Sequence, residues 1–138
     1  MVDITPLIRS DRMVIQGYKN GVFKISNQLY HTPVIVFPDR VEPWPIHAAQ
    51  IVESAMDATS AQTELSAGME SIILNHNQID LLLLGTGSTM QPLHPALKAW
   101  FKSQGVRCEN MDTGAACRTY NVLLAEGRLV VAALLKFE

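Results

Sequence analysis

The sequence predicts a single layered α/β domain over residues 1–138, with an N-terminal antiparallel ribbon and a C-terminal parallel βαβαβ unit. Three observations carry that expectation. Residues 13–37 are rich in β-branched and aromatic side chains and are broken by Asn20-Gly21 and Asn27-Gln28. Residues 79–84 are apolar almost without interruption and run into Gly85-Thr86-Gly87. From there to residue 135, strand-like and helix-like patterns alternate with short links, which calls for right-handed crossovers and parallel pairing.

In chain order, Asn20-Gly21 supplies the positive backbone angles of a tight hairpin turn, and Val22, Phe23, Ile25, Leu29 and Tyr30 alternate around it as in a half-buried ribbon. Val34, Ile35, Val36 and Phe37 form a further strand between Pro33 and Pro38. Pro43-Trp44-Pro45 lacks two of the three amide donors a ladder needs, so regular pairing is not expected there and an edge or kink is. Residues 46–56 fit a helical stripe or a frayed strand equally well. Residues 59–74 read as a helix, with Thr59 and Gln62 as a capping box and Leu65, Met69, Ile72 and Ile73 on one face. The nearly unbroken run 79–84 is the pattern of a strand covered on both faces. Pro95 suits a first helical turn, Leu93, Leu97, Trp100 and Phe101 share a face, and Gly105 is a left-handed stop. Residues 106–109 are the next strand. Asp112 or Thr113 caps a further helix that buries Ala116, Tyr120, Leu123 and Leu124 and closes at Gly127. Residues 129–135 are the last strand.

Composition excludes several classes of function. A chain of 138 residues with 48% apolar content can hold one core without metal or disulfide staples. Thirteen acidic residues against eleven basic ones leave a charge of −2, so no basic field attracts nucleic acid or anionic lipid. The longest apolar run, 129–135, is far short of the ~20 residues of a spanning helix, so no membrane insertion is expected. The first six residues resemble neither a secretory signal nor a transit peptide, which leads us to expect a cytoplasmic, reducing location.

In open parallel sheets, ligands collect beyond the carboxyl ends of the strands. Gly85-Thr86-Gly87 and Met111-Asp112-Thr113 both fall at that edge and can outline a cleft. A dinucleotide fingerprint is incomplete, because Met90 stands at its third glycine position and prolines 92 and 95 delay the helix; glycines that merely turn the chain are the simpler reading. Cys117 lies near a helix start beside Arg118, a setting that favours thiolate, but its alanine neighbours favour a small core residue. Cys108 and Cys117 lack redox or zinc spacing. His31, His47, His76 and His94 have no i, i+4 partner, so no metal is expected, and Ser88 lacks a nucleophile-elbow frame. Trp44, held between prolines, is a candidate interface anchor, with core filling as its default. The densest polar group is Arg118-Thr119-Tyr120-Asn121 with Glu126 and Arg128. Arg118 and Asn121 share one side of the helix, expected to face the glycine turns, while Tyr120 points inward. Arg118 then serves as an anion clamp or as a structural partner of Asp112, and a salt link between Glu126 and Arg128 is expected at the Gly127 corner.

Leu82-Leu83-Leu84-Gly85-Thr86-Gly87, Met111-Asp112-Thr113, the run from Ala116 through Cys117, Arg118, Thr119, Tyr120 and Asn121 to Val122 and Leu123, and Glu126-Gly127-Arg128 together resemble a small α/β family of unknown molecular function. The mitochondrial complex I (NADH:ubiquinone oxidoreductase) assembly factor 3 belongs to that family, and this chain looks like a bacterial member. The resemblance implies a single three-layer α/β domain with a mixed sheet, no established catalytic residue and no cofactor. It points to a non-enzymatic protein-interaction or assembly-factor-like role, with another protein as partner. The alternative is a small-molecule or anion-binding protein or enzyme using the cleft near residues 85–87 and 112–118.

Overall fold

The computed structural model describes residues 12–19, 21–44, 79–92 and 95–136. Asn20, residues 45–78 and the helix expected at 59–74 lie outside the described residues. Three short strands come first: β1 (Ile15–Lys19), β2 (Val22–Ile25) and β3 (Gln28–Tyr30), paired antiparallel in the order β1-β2-β3. The β2–β3 turn is made by Ser26 and Asn27, both with positive φ (46° and 70°), the geometry that matches the twist of a two-residue hairpin. A bulge lies between Ile15 and Gly17. There the Gln16 side chain reaches the turn: its Oε1 accepts from the Asn27 backbone N–H at 2.7 Å and its Nε2 donates to Asn27 Oδ1 at 3.2 Å.

The larger sheet contains β4 (Val34–Val36), β5 (Val41–Pro43), β6 (Leu81–Gly85), β7 (Cys108–Met111) and β8 (Val130–Leu134), ordered β5-β4-β8-β6-β7. The pairs β6–β7 and β6–β8 are parallel, and β4 pairs antiparallel with both β5 and β8. The sheet is therefore mixed, as expected. Two boundaries differ from the sequence reading. Regular pairing extends to Pro43, opposite Val34, because among the described residues β5 is the outermost strand and the missing N–H of Pro43 costs no ladder bond. The strand expected at 106–109 runs from Cys108 to Met111; Val106 is buried, but its N–H bonds back to Phe101 of the preceding helix at 2.9 Å.

Alternation along the central strands builds two cores. Leu82, Leu84, Val131, Ala133, Leu135, Ile35 and Phe37 pack on one face with Trp44 and with Phe101 of α1 (Pro95–Ser103). Leu81, Leu83, Val130, Ala132, Leu134, Val34 and Val36 pack on the other with Ala116, Cys117, Tyr120 and Leu124 of α2 (Thr113–Ala125). Ile15, Phe23 and Ile25 of the small sheet join this second core. Helices cover both faces of the larger sheet, which is why its central strands are apolar without alternation.

Both ends of α2 follow from local chemistry. Asp112 is the N-cap, its Oδ1 accepting from Ala115 N at 2.9 Å. At the other end the Gly127 N–H donates to Leu124 O and the Arg128 N–H to Leu123 O, both at 3.0 Å, with Gly127 at φ +82°. This is a Schellman termination. It also replaces the salt link expected at that corner: Glu126 and Arg128 form no ion pair with one another, and backbone bonds alone hold the turn.

Candidate functional site

Strands β6 and β7 point the same way, so their carboxyl ends bring Gly85, Thr86 and Gly87 beside Met111, Asp112 and Thr113 at one rim of the sheet. The physical reason for glycine at 85 is close approach. A Cβ there would lie 3.0 Å from Thr113 Cα, from Thr113 Oγ1 and from Leu134 Cδ2. Backbone and side chain of α2's first residue thus press directly onto the end of β6.

The two turns are bonded into each other. The Thr113 hydroxyl, fully buried, accepts from Gly87 N at 2.8 Å and donates to Leu135 O at 2.9 Å. In return the Thr113 N–H donates to Gly87 O at 2.8 Å. Thr86 N donates to Met111 O at 2.9 Å, while Thr86 Oγ1 bonds the carbonyls of Thr89 and Met111 and accepts from Gln91 N. Of the N–H groups that would cradle an anion at this helix start, those of Thr113, Ala115 and Ala116 already hold partners from the chain. The residues converge as the sequence suggested, and they meet as a closed latch.

The face of α2 carrying Arg118 and Asn121 is directed elsewhere than expected. Asn121 Oδ1 accepts from Ile15 N at 3.1 Å, and its Nδ2 donates to Ile15 O at 2.7 Å. One carboxamide thereby does for β1 what a neighbouring strand would do. Arg118 is exposed and its Nη1 donates to the Tyr18 hydroxyl at 2.7 Å, again on β1. Arg118 Nη1 and Asp112 Oδ1 both flank Gly114, but they form no ion pair; Asp112 is committed to the cap. Sequence reasoning grouped Arg118 and Asn121 correctly on one side of the helix. It could not see that the ribbon packs on that side, with the Arg118 guanidinium lying between Tyr18 and Gly114 of the second turn.

The other candidates resolve into packing. Tyr120 is buried, with its hydroxyl 3.2 Å from both Met13 O and Phe37 O, and burial pushes its pKa up from the ordinary value of 10.0. Thr119 is half-buried and Glu126 and Arg128 are exposed. Trp44, the candidate interface anchor, is 1% exposed within the core, so this surface role does not hold in this structure. Its Nε1 is a buried donor without a hydrogen-bond partner among the described residues. Cys117 is buried as a small core residue, and burial pushes its thiol up to about 12, outweighing Arg118, which pulls the other way. Cys108 is raised to about 12 by the same cause. Neither supplies a thiolate at neutral pH. Among the described residues no cluster of His, Cys, Asp or Glu has a metal-binding arrangement, and no helix is long and apolar enough to cross a membrane.

The comparisons agree with this architecture. The family model described as "Protein of unknown function (DUF498/DUF598)" matches residues 15–135. An uncharacterized protein of Rhodobacter capsulatus is 33% identical over 121 residues, covering 88% of this chain and 82% of that protein. NADH dehydrogenase [ubiquinone] 1 alpha subcomplex assembly factor 3 of Danio rerio is 32% identical over 124 residues, 88% of this chain; the match spans 63% of the assembly factor's length. Among solved structures, an outer membrane protein from Bartonella henselae superposes with a TM-score of 0.75 at 28% identity, covering 92% of this chain and 97% of that one. A Mth938-like domain from Bordetella pertussis gives a TM-score of 0.66 at 28% identity, covering 98% and 89%. With the fold, the interlocked turns and these relatives together, the chain belongs to the DUF498/DUF598 family of proteins of unknown function, the family that includes complex I assembly factor 3.

Proposed function

We propose that this protein is a non-enzymatic protein-interaction domain of the assembly-factor kind, acting on subunits of a respiratory NADH dehydrogenase. The observation that carries the reading is the latch at Thr113, which fills with the chain's own hydrogen bonds the place where an α/β sheet of this sort would hold a substrate. Kinship with assembly factor 3 supplies the class of partner. The free thiols of Cys108 and Cys117 support a reducing, cytoplasmic setting as part of the same proposal.

The test pairs two measurements. Tagged protein expressed in its native cell, followed by cross-linking and mass spectrometry, is expected to return the same NADH dehydrogenase subunits in replicate. A metabolite thermal-shift panel on the purified protein is expected to stay flat. A small molecule that adds roughly 2.7 kcal/mol at a hundred times its dissociation constant, with no subunit recovered, overturns the reading in favour of a ligand-binding protein.

A further inference from the structure

Strand β7 is an outer strand of the larger sheet, and one side of its backbone faces away from its partner. Leu82 N donates to Arg107 O at 2.8 Å and Thr86 N donates to Met111 O at 2.9 Å. In a parallel ladder the residues that bond the neighbour alternate with those that do not, so 107, 109 and 111 face β6. The N–H and C=O groups of Cys108 and Asn110 therefore point outward, and among the described residues no strand lies beyond them.

Beside that edge runs an open groove of about 430 Å³ lined by Lys98, Ala99, Lys102, Val106 and Cys108. Its floor is apolar and its rim carries two lysines one helical turn apart on α1. At the far end Asn110 Nδ2 donates to Gln91 O at 2.8 Å and lies 3.3 Å from Met90 Sδ, which folds the loop after β6 against the strand's end. Met90 itself is 59% exposed there, an apolar side chain without cover.

We propose that this groove docks an extended acidic segment of a partner protein, which adds to β7 as a further strand. The inference rests on the protein-interaction reading above and names its surface and chemistry. Charge complementarity selects the occupant: Lys98 and Lys102 line the groove and are exposed, with no acidic residue among its lining, while the whole chain carries −2. Backbone groups at alternate residues select an extended peptide over a nucleic acid, which offers no matching ladder of donors and acceptors. Carboxylates at alternate positions of the added strand would all point to the α1 side and meet Lys98 and Lys102 at the groove rim. Two copies of this chain joined through β7 would bring the same lysines together, so the rim also opposes self-pairing of an edge that sheets ordinarily guard.

An NMR titration of ¹⁵N-labelled protein with a blocked peptide alternating glutamate and valine tests this, with a lysine–valine peptide and a single-stranded DNA oligonucleotide in parallel. Saturable shifts are expected at Cys108, Asn110 and the exposed face of α1 with the glutamate peptide. The double variant Lys98→Glu/Lys102→Glu, on a protein with unchanged near-UV circular dichroism, should weaken that binding by about tenfold. Shifts absent from β7, equal binding of the lysine peptide, or tighter binding of the oligonucleotide overturn the proposal. So do β7 shifts that grow with protein concentration alone, which would make a second copy the occupant. In the cross-linking experiment, a double variant that recovers the same partners as wild type removes the groove and leaves the interaction reading standing. A wild type that recovers none removes both.

Discussion

Replacing Thr113 with valine removes one oxygen from the latch and leaves its volume nearly unchanged. That oxygen serves Gly87 N at 2.8 Å and Leu135 O at 2.9 Å, at a residue with no exposed surface. Each lost bond is worth ~0.5–1.5 kcal/mol, and each group left buried without a partner adds a desolvation penalty of ~1–3 kcal/mol. Because the methyl that replaces the hydroxyl recovers part of this, Thr113→Val should destabilise by about 3 kcal/mol. For a chain of 138 residues, with an unfolding entropy of ~2.1 cal/mol/K per residue, the melting temperature should fall by about 10 °C. Calorimetry with urea unfolding at constant slope reads both quantities. Thr113→Ser is the control: it keeps the oxygen, loses a methyl and should cost about 1 kcal/mol. A valine variant melting within ~3 °C of wild type, or a serine variant as damaged as the valine one, would show that the latch is not held by this hydroxyl.

Other expectations follow from the same geometry. Gly85→Ala places a Cβ 3.0 Å from the Thr113 backbone, where no rotamer change can relieve it, and should cost ~1–3 kcal/mol by chemical denaturation. Asn121→Ala strips both backbone groups of Ile15 of their partner and should cost ~1–3 kcal/mol; hydrogen exchange should speed up at Ile15 before it does in β6. Stability should fall as pH rises above about 9, because the Cys117 thiol is raised from 9.0 to about 12 in the folded state. An unfolded thiol then ionises while the folded one stays neutral, costing up to about 1.4 kcal/mol per pH unit between those values. The Tyr120 hydroxyl, raised from 10.0 by burial, adds to the loss at higher pH. Cys108, partly exposed, should add less. Iodoacetamide at neutral pH should leave Cys117 unmodified, and modification of the folded protein within minutes would contradict its burial.

Much of the fold is legible locally because each signal has one physical solution. Asp112-Thr113 ahead of an apolar stripe marks a helix start whichever of the two caps it, and Gly127 after that stripe marks its end. The unbroken run ending at Leu84 requires cover on both faces, and it has it. The parts that are not legible depend on who lies opposite. Glycines at a strand end look the same whether they make room for a ligand or for another turn, and only the 3.0 Å approach of Thr113 decides between them. Asn121 reads as a surface polar group until β1 is placed against α2. Pro43 argues against a ladder unless the strand is known to be outermost, and Trp44 between prolines fits an interface anchor as well as its default of core filling until the core is seen around it.

Strand β8 lies between β4 and β6 and bonds both, although every other strand of its sheet precedes it in the chain. Until Val130–Leu134 has cleared the ribosome, the hairpin β4–β5 and the pair β6–β7 have no hydrogen bond between them. The nascent chain therefore carries two half-sheets with apolar inner margins, which can be joined only once the last strand has been made.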